Sequence, residues 1–248
     1  MAGGEPLVRE NILIITKDYP DVLFFIFTNG LVMSDEMANQ FQKQKNLVPL
    51  ISMEGYDSDT DNRRGEGVFQ ILQQTIQRLK QNEVFFGGSL TVTRSHFDIL
   101  TDSGFIDTII GWGGKLILFA EYTPITTNTD NWLITEEQRL KLSGLMQVFR
   151  NKYRALFVNV PGDKKDFGGC LSAGRGFVHV SAEGDLEPCP FAPYSDVNLR
   201  EKTLKEALQS PFLKAIREND NHLEESRGSC ALWTRCEWVR SLLSHSEK

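Results

Sequence analysis

The chain has 248 residues, of which 40% are hydrophobic and 24% charged; 27 basic and 33 acidic side chains leave a net charge of −6. That is enough apolar mass for a substantial core, and the acidic balance argues against a nucleic-acid or anionic-membrane surface. No apolar run is long enough to cross a bilayer, and Met1 to Leu7 has neither the basic nor the apolar region of a secretory signal. The expected setting is therefore a reducing, cytoplasmic one.

In chain order, apolar residues at helical spacing predict a helix over Leu7–Lys17. Asp21–Thr28 is a short apolar run ended by Asn29-Gly30, the pattern of a buried parallel strand, with Phe24, Phe25 and Phe27 as core residues. Ser34 caps a helix to about Lys45, with acids in its first turn. Leu47–Ser52 is the next strand, followed by a helix over Gly67–Leu79, a strand over Val84–Thr93 and a short helix over His96–Ser103. A strand over Lys115–Tyr122, a long amphipathic helix over Glu136–Lys152 and a strand over Ala155–Val160 complete the series. Strands alternating with helices imply a parallel sheet, and five strands before Gly162 fit part of a (β/α) barrel over residues 1–160.

From residue 161 to 248 the pattern changes. The Gly-rich connection Pro161–Gly169 leads into Phe177–Ser181 and Leu186–Cys189, which read as a hairpin around Glu183-Gly184-Asp185. Short helices are expected over Thr203–Gln209, Pro211–Glu218 and Glu237–Ser244, with Trp233 and Trp238 packing the last segment. So small and loop-rich a region needs a staple beyond its own core.

The cysteines supply one. Cys170, Cys189, Cys230 and Cys236 all lie in this region, separated by eighteen, forty and five residues, and none precedes them. In a reducing compartment such a group binds metal more often than it forms disulfides. Structural zinc favours tight Cys-x-x-Cys pairs, which are absent, whereas thiolates from dispersed loops are ordinary ligands of a [4Fe–4S] cluster. Zinc, or four buried free thiols, are the competing readings. Cys236 is the ligand with the weakest signal, since its surroundings are helical. The histidines, His96, His179, His222 and His245, are scattered, and His179 reads as a structural residue of the hairpin.

Polar clusters recur at predicted strand ends, where parallel α/β barrels collect their sites. They are Gly3-Gly4-Glu5-Pro6 ahead of the first helix, Thr28-Asn29-Gly30, and Ser52-Met53-Glu54-Gly55 followed by Thr60 to Gly65, each also readable as a loop or a helix cap. Together with the tail motif Cys170…Gly174-Arg175-Gly176…Glu183-Gly184-Asp185…Cys189-Pro190-Phe191, they resemble the radical S-adenosylmethionine (SAM) superfamily, in the subgroup with a SPASM- or twitch-type extension.

The resemblance implies a partial TIM-like barrel with a small C-terminal auxiliary-cluster domain, binding SAM and an auxiliary [4Fe–4S] cluster. It implies that Gly3, Gly4 and Glu5 hold the methionyl amine, Ser52 contacts the ribose or carboxylate, and Arg64, in Asp61-Asn62-Arg63-Arg64, pairs with the SAM carboxylate. Cys170, Cys189, Cys230 and Cys236 become the cluster ligands. A reducing electron donor and a peptide or small-molecule substrate, modified by hydrogen abstraction, are the implied partners; nucleic acid and membrane are not. One departure stands out. The family's Cys-x-x-x-Cys-x-x-Cys loop lies upstream of the Gly-Gly-Glu motif, where this sequence has only Met1-Ala2. The expectation is an N-terminally shortened member that lacks the SAM-cluster cysteines; the alternative is a non-catalytic iron–sulfur or zinc module, an inactive remnant.

Overall fold

The computed structural model describes residues 1–9, 11–163, 168–219, 222–223 and 230–246. Glu10 of the predicted first helix, residues 164–167 of the Gly-rich connection and the side chain of His245 lie outside the described residues. Two compact units emerge: Met1–Tyr122 with Asn128–Val160, and Thr123–Thr127 with Pro161–Lys248.

The first unit is a partial α/β barrel. Its strands β1 (Phe24–Thr28), β2 (Leu47–Met53), β3 (Gly87–Val92), β4 (Leu116–Glu121) and β5 (Leu156–Val160) form one parallel sheet in sequential order. Parallel neighbours need crossovers. α1 (Asn11–Lys17) precedes β1, and the crossovers carry α2 (Asp35–Lys43), α3 (Asp57–Arg64), α4 (Val68–Gln81), α5 (Phe97–Leu100), α6 (Ser103–Trp112) and α7 (Glu136–Lys152). Ser34 caps α2 by accepting the Met37 amide at 3.1 Å, and Thr135 with Gln138 closes a capping box on α7. Alternation along the strands separates two faces. One packs Ile26, Ile51, Leu90, Ile117 and Phe119 with Leu72, Ile76, Phe105, Ile109 and Phe149 from the helices. The other, the inner face, carries Val48, Leu50 and Leu116 with Phe27, Leu118 and Val158.

Four expectations change. The first helix is a 3₁₀ turn, Pro6–Val8, and then α1. Thr60–Gly65 is more than a loop or a cap: Thr60–Arg64 belongs to α3, with Gly65 as its C-cap, and Asp57 and Asp59 sit in the first turn and Arg63 and Arg64 in the last, the charge order a helix dipole favours. The helix expected over His96–Ser103 is only α5, and Asp102 caps α6 through the Phe105 amide at 3.0 Å. Phe25 is not core: it is 36% exposed and lines an apolar cavity of about 620 Å³ with Leu23, Phe27, Phe85 and Leu156.

The second unit has little regular structure. A two-residue antiparallel pair, β6 (His179–Val180) with β7 (Leu186–Glu187), is followed by α8 (Leu204–Ala207), α9 (Pro211–Arg217), α10 (Ala231–Thr234) and α11 (Cys236–Ser246). Its core contains Leu186, Phe212, Leu213, Ile216, Leu232 and Val239 together with three cysteines, and Trp233 and Trp238 pack partly buried against it. Among the described residues, no helix is long and apolar enough to cross a membrane.

Two glycine substitutions should move stability in opposite directions. A Cβ on Gly87, in the central strand, would lie 2.3 Å from the Leu116 carbonyl oxygen of β4, so Gly87→Ala should destabilise by about 2–3 kcal/mol. A Cβ on Gly144, in the interior of α7, meets nothing within 4 Å, so Gly144→Ala should stabilise by about 0.5–1 kcal/mol. Urea denaturation of both variants checks the pair of signs.

Candidate functional site

In the first unit the predicted residues lie at the C-terminal ends of β1 and β2. Gly3 and Gly4 have positive φ, +102° and +56°, and a Cβ on either would meet nothing within 4 Å, so this backbone borders open space. Glu5 turns its carboxylate toward the fold. Oε1 accepts from the Leu7 amide at 3.0 Å and the Thr28 hydroxyl at 2.9 Å, and Oε2 accepts from the Asn29 amide at 2.6 Å. Its first task is therefore to pin the glycine loop to the end of β1.

Ser52 lies next to Ser89 across the β2–β3 register. It follows Val48 and Leu50 at strand spacing and so shares their inner face. The side chains on that face change in size along the strands. Phe27, Leu50 and Leu116 give way to Ser52, Ser89, Thr91 and Ala120 toward the C-terminal ends. Ser89 and Thr91 were missed from sequence because β3 reads as an ordinary strand; only the register shows that Ser89 lies level with Ser52 and that Thr91 shares the same face one layer further on.

Two residues beyond Ser52 stands Glu54, a carboxylate only 2% exposed. Arg63 Nη1 donates to its Oε2, and Arg64 donates to Oε1 from Nε at 3.0 Å and from Nη2 at 2.5 Å. The structure thus places Arg64 at the strand end, but one edge of its guanidinium fork is already on Glu54. A second buried carboxylate, Glu121 at the end of β4, pairs with Arg139 of α7 at 3.0 Å.

In the second unit Cys170, Cys189 and Cys230 come together. They are 1%, 2% and 5% exposed and belong to one apolar cluster. A hydrogen bond with the Cys230 thiol, then burial and the neighbouring Cys230 and Cys170 sulfurs, push the Cys189 thiol far above its ordinary range. The backbone fixes each one. The Cys170 amide donates to the Leu223 carbonyl at 3.3 Å, the Cys189 carbonyl accepts from Ala192 at 3.0 Å, and Cys230 precedes α10. Cys236 differs: it is half-buried on the first turn of α11 and stands outside that buried cluster. Among the described residues, no three His, Cys, Asp or Glu side chains converge on the position of a single ion. A cubane cluster carries its thiolates on separate irons, so neighbouring rather than convergent thiols, in apolar surroundings and from dispersed segments, fit it better than they fit zinc. His179 bonds Glu187 across the β6–β7 pair at 2.7 Å and His222 stacks on Trp238, both structural tasks.

Residues 170–237 match the SPASM family of iron–sulfur cluster-binding domains. The chain is 23% identical over 267 aligned positions to the AdoMet-dependent heme synthase of Methanosarcina barkeri, covering 97% of this chain and 74% of that protein. It is 24% identical to the AdoMet-dependent heme synthase of Oleidesulfovibrio alaskensis, covering 95% of this chain and 66% of that protein. Among solved structures it resembles anSMEcpe with bound AdoMet and a Cp18Cys peptide, with a TM-score of 0.65 and 13% identity, over 99% of this chain and 84% of that one. It also resembles Streptococcus suis SuiB bound to S-adenosylmethionine, with a TM-score of 0.67 and 17% identity, over 87% of this chain and 55% of that one. The fold is that of the partial barrel with a SPASM extension.

The Glu54 cluster yields a prediction. Glu54→Ala leaves two guanidinium groups beside a buried site, although Arg63 and Arg64, 41% and 24% exposed, can partly rehydrate. A loss of about 2–3 kcal/mol is expected, below the full cost of stranding a buried charge. Arg63→Ala, which leaves the Arg64 contacts in place, should cost less than about 1 kcal/mol. Equal losses in chemical denaturation would contradict the assignment of Glu54 as the shared anchor.

Proposed function

We propose, on the premise that this chain belongs to the SPASM-type subgroup of the radical SAM superfamily, that its second unit holds an auxiliary [4Fe–4S] cluster and its first unit the protein's share of a SAM site. The observation that carries the reading is the grouping of Cys170, Cys189 and Cys230 in one buried core inside the matched iron–sulfur segment. We assign these three as ligands, with Cys236 as the fourth or a neighbour of an open iron. In this family the cofactors supply reductive cleavage of SAM and hydrogen abstraction from a substrate; the protein supplies binding and orientation. Gly3 and Gly4 would offer close backbone approach to the methionyl group, with Glu5 setting the loop. Ser52, beside Ser89 and Thr91, would face the nucleoside. Arg64 would present its remaining guanidinium edge to the carboxylate while Glu54 holds the other.

The substrate class is a peptide or a small molecule. The anSMEcpe structure holds a peptide and SuiB has been captured with its precursor peptide SuiA, whereas the two sequence relatives are heme synthases. An intracellular setting suits both cluster and thiols. A second reading has a specific observation behind it: no cysteine precedes Cys170, so these 248 residues contain no Cys-x-x-x-Cys-x-x-Cys loop and would act by themselves only as a cluster-binding module.

Two experiments test this. Expressed and reconstituted without oxygen, the chain should bind about one [4Fe–4S] cluster with broad thiolate-to-iron absorbance. Cys170→Ala or Cys230→Ala should abolish it, and Cys236→Ala should leave a partial one; stoichiometric zinc with negligible iron would sink the assignment. Under dithionite the 248 residues alone should form no 5′-deoxyadenosine, because they provide no cysteines for the cluster that contacts SAM. Formation above a cluster-free control would show that reductive cleavage proceeds from the auxiliary site.

A further inference from the structure

We propose that Ser172 is a built-in hydrogen-bond donor to the Cys170 sulfur that raises the reduction potential of the auxiliary cluster; this rests on the cluster assignment above and extends it beyond the ligands. Ser172 is fully buried, and its Oγ lies 3.1 Å from Cys170 Sγ. Between a thiol and a hydroxyl, either atom can donate. Once Cys170 is an iron-bound thiolate it has no proton, so the Ser172 hydroxyl is the one donor left in the pair. A hydrogen bond to a thiolate sulfur stabilises negative charge there, and the cluster carries one more negative charge when reduced. The bond therefore favours the reduced form, and cluster potentials respond to such bonds.

The local backbone holds this geometry. The Leu171 carbonyl accepts from the Gly176 and Phe177 amides at 2.8 and 3.0 Å, and the Ser172 carbonyl accepts from Arg175 at 3.2 Å. Ala173 takes a positive φ of 56°, unusual for a residue with a Cβ. It is tied on both sides, its amide donating to the Pro188 carbonyl at 3.0 Å and its carbonyl accepting from Arg217 Nη1 at 2.8 Å. The first of these bonds links the turn to the residue before Cys189. Ser172 is thus fixed relative to two of the assigned ligands, and the apolar surroundings keep water from replacing its hydroxyl. A serine that only filled space here would be served as well by alanine.

The test uses the full 248-residue chain, reconstituted without oxygen, as wild type and as Ser172→Ala. Iron and sulfide content are measured first. A wild type that takes up no cluster overturns the ligand assignment, and this inference falls with it. With the cluster present, one-electron reduction by dithionite is followed by electron paramagnetic resonance in a potentiometric titration. Ser172→Ala is expected to keep its iron content and to shift to a more negative potential. Electron–nuclear double resonance of the reduced wild type in H₂O and D₂O should show an exchangeable proton coupled to the cluster, lost in Ser172→Ala. An unchanged or more positive potential in a fully loaded variant would overturn the proposal. If the variant loads poorly, the wild-type spectrum decides: no exchangeable coupling that Ser172 could supply means the bond is not made to the cluster.

Discussion

The sulfur atoms of Cys170, Cys189 and Cys230 sit in apolar surroundings, held by three chain segments that share neither a sheet nor a long helix. Among the described residues, the second unit's only strand pair is two residues long on each side, and α8, α9 and α10 span four to seven residues. Elements this short do not stabilise themselves. What fixes their arrangement is the shared core, and the thiols occupy part of it that other domains fill with leucine or phenylalanine. In the thiol form they pack as small hydrophobes. As the proposed ligands of a cluster they would become cross-links between segments far apart in sequence, and the same three residues would serve as both the core and its staple.

The first unit solves a different problem. Its sheet is stabilised on the helix-packed face by a large core, which leaves the inner face free to vary. Bulk is concentrated there at one end, and small residues at the other, where Ser52, Ser89, Thr91 and Ala120 open space. Removing side-chain volume near the strand ends costs little stability because the opposite face carries the packing. It also puts backbone and short polar groups within reach of a ligand, which is where parallel sheets place their sites.

Sequence patterning gave the five strands, the long helix α7 and the hairpin because each has one dominant period and clear stops. It failed where local signals compete. Ser103–Trp112 carries two glycines and several β-branched residues, which mask a helix that tertiary packing of Phe105, Ile106 and Ile109 enforces. Asp57–Arg64 has almost no apolar periodicity; it is helical through its end charges and the Asp59–Tyr56 amide contact. Phe25 sits in an apolar run, yet its strand is at the edge of the sheet, and sequence does not report edges. The cysteines were legible as a group, but that three of them share a core while Cys236 stands outside it depends on how α10 and α11 are placed.

The two acidic residues at the predicted SAM site also show how composition misleads. A chain of net charge −6 suggests an acidic surface throughout, but Glu5 and Glu54 both turn inward and spend their charge on the protein. Glu5 satisfies two backbone amides and a hydroxyl. Glu54 holds both Arg63 and Arg64 at the end of β2. Because a single buried carboxylate restrains both guanidiniums, they are held in place without the entropy loss that a free arginine would suffer on meeting a ligand. A carboxylate-bearing ligand would find guanidinium donors there and nowhere else along β1 or β2, since the remaining positions of both strands are apolar apart from Thr28 and Ser52.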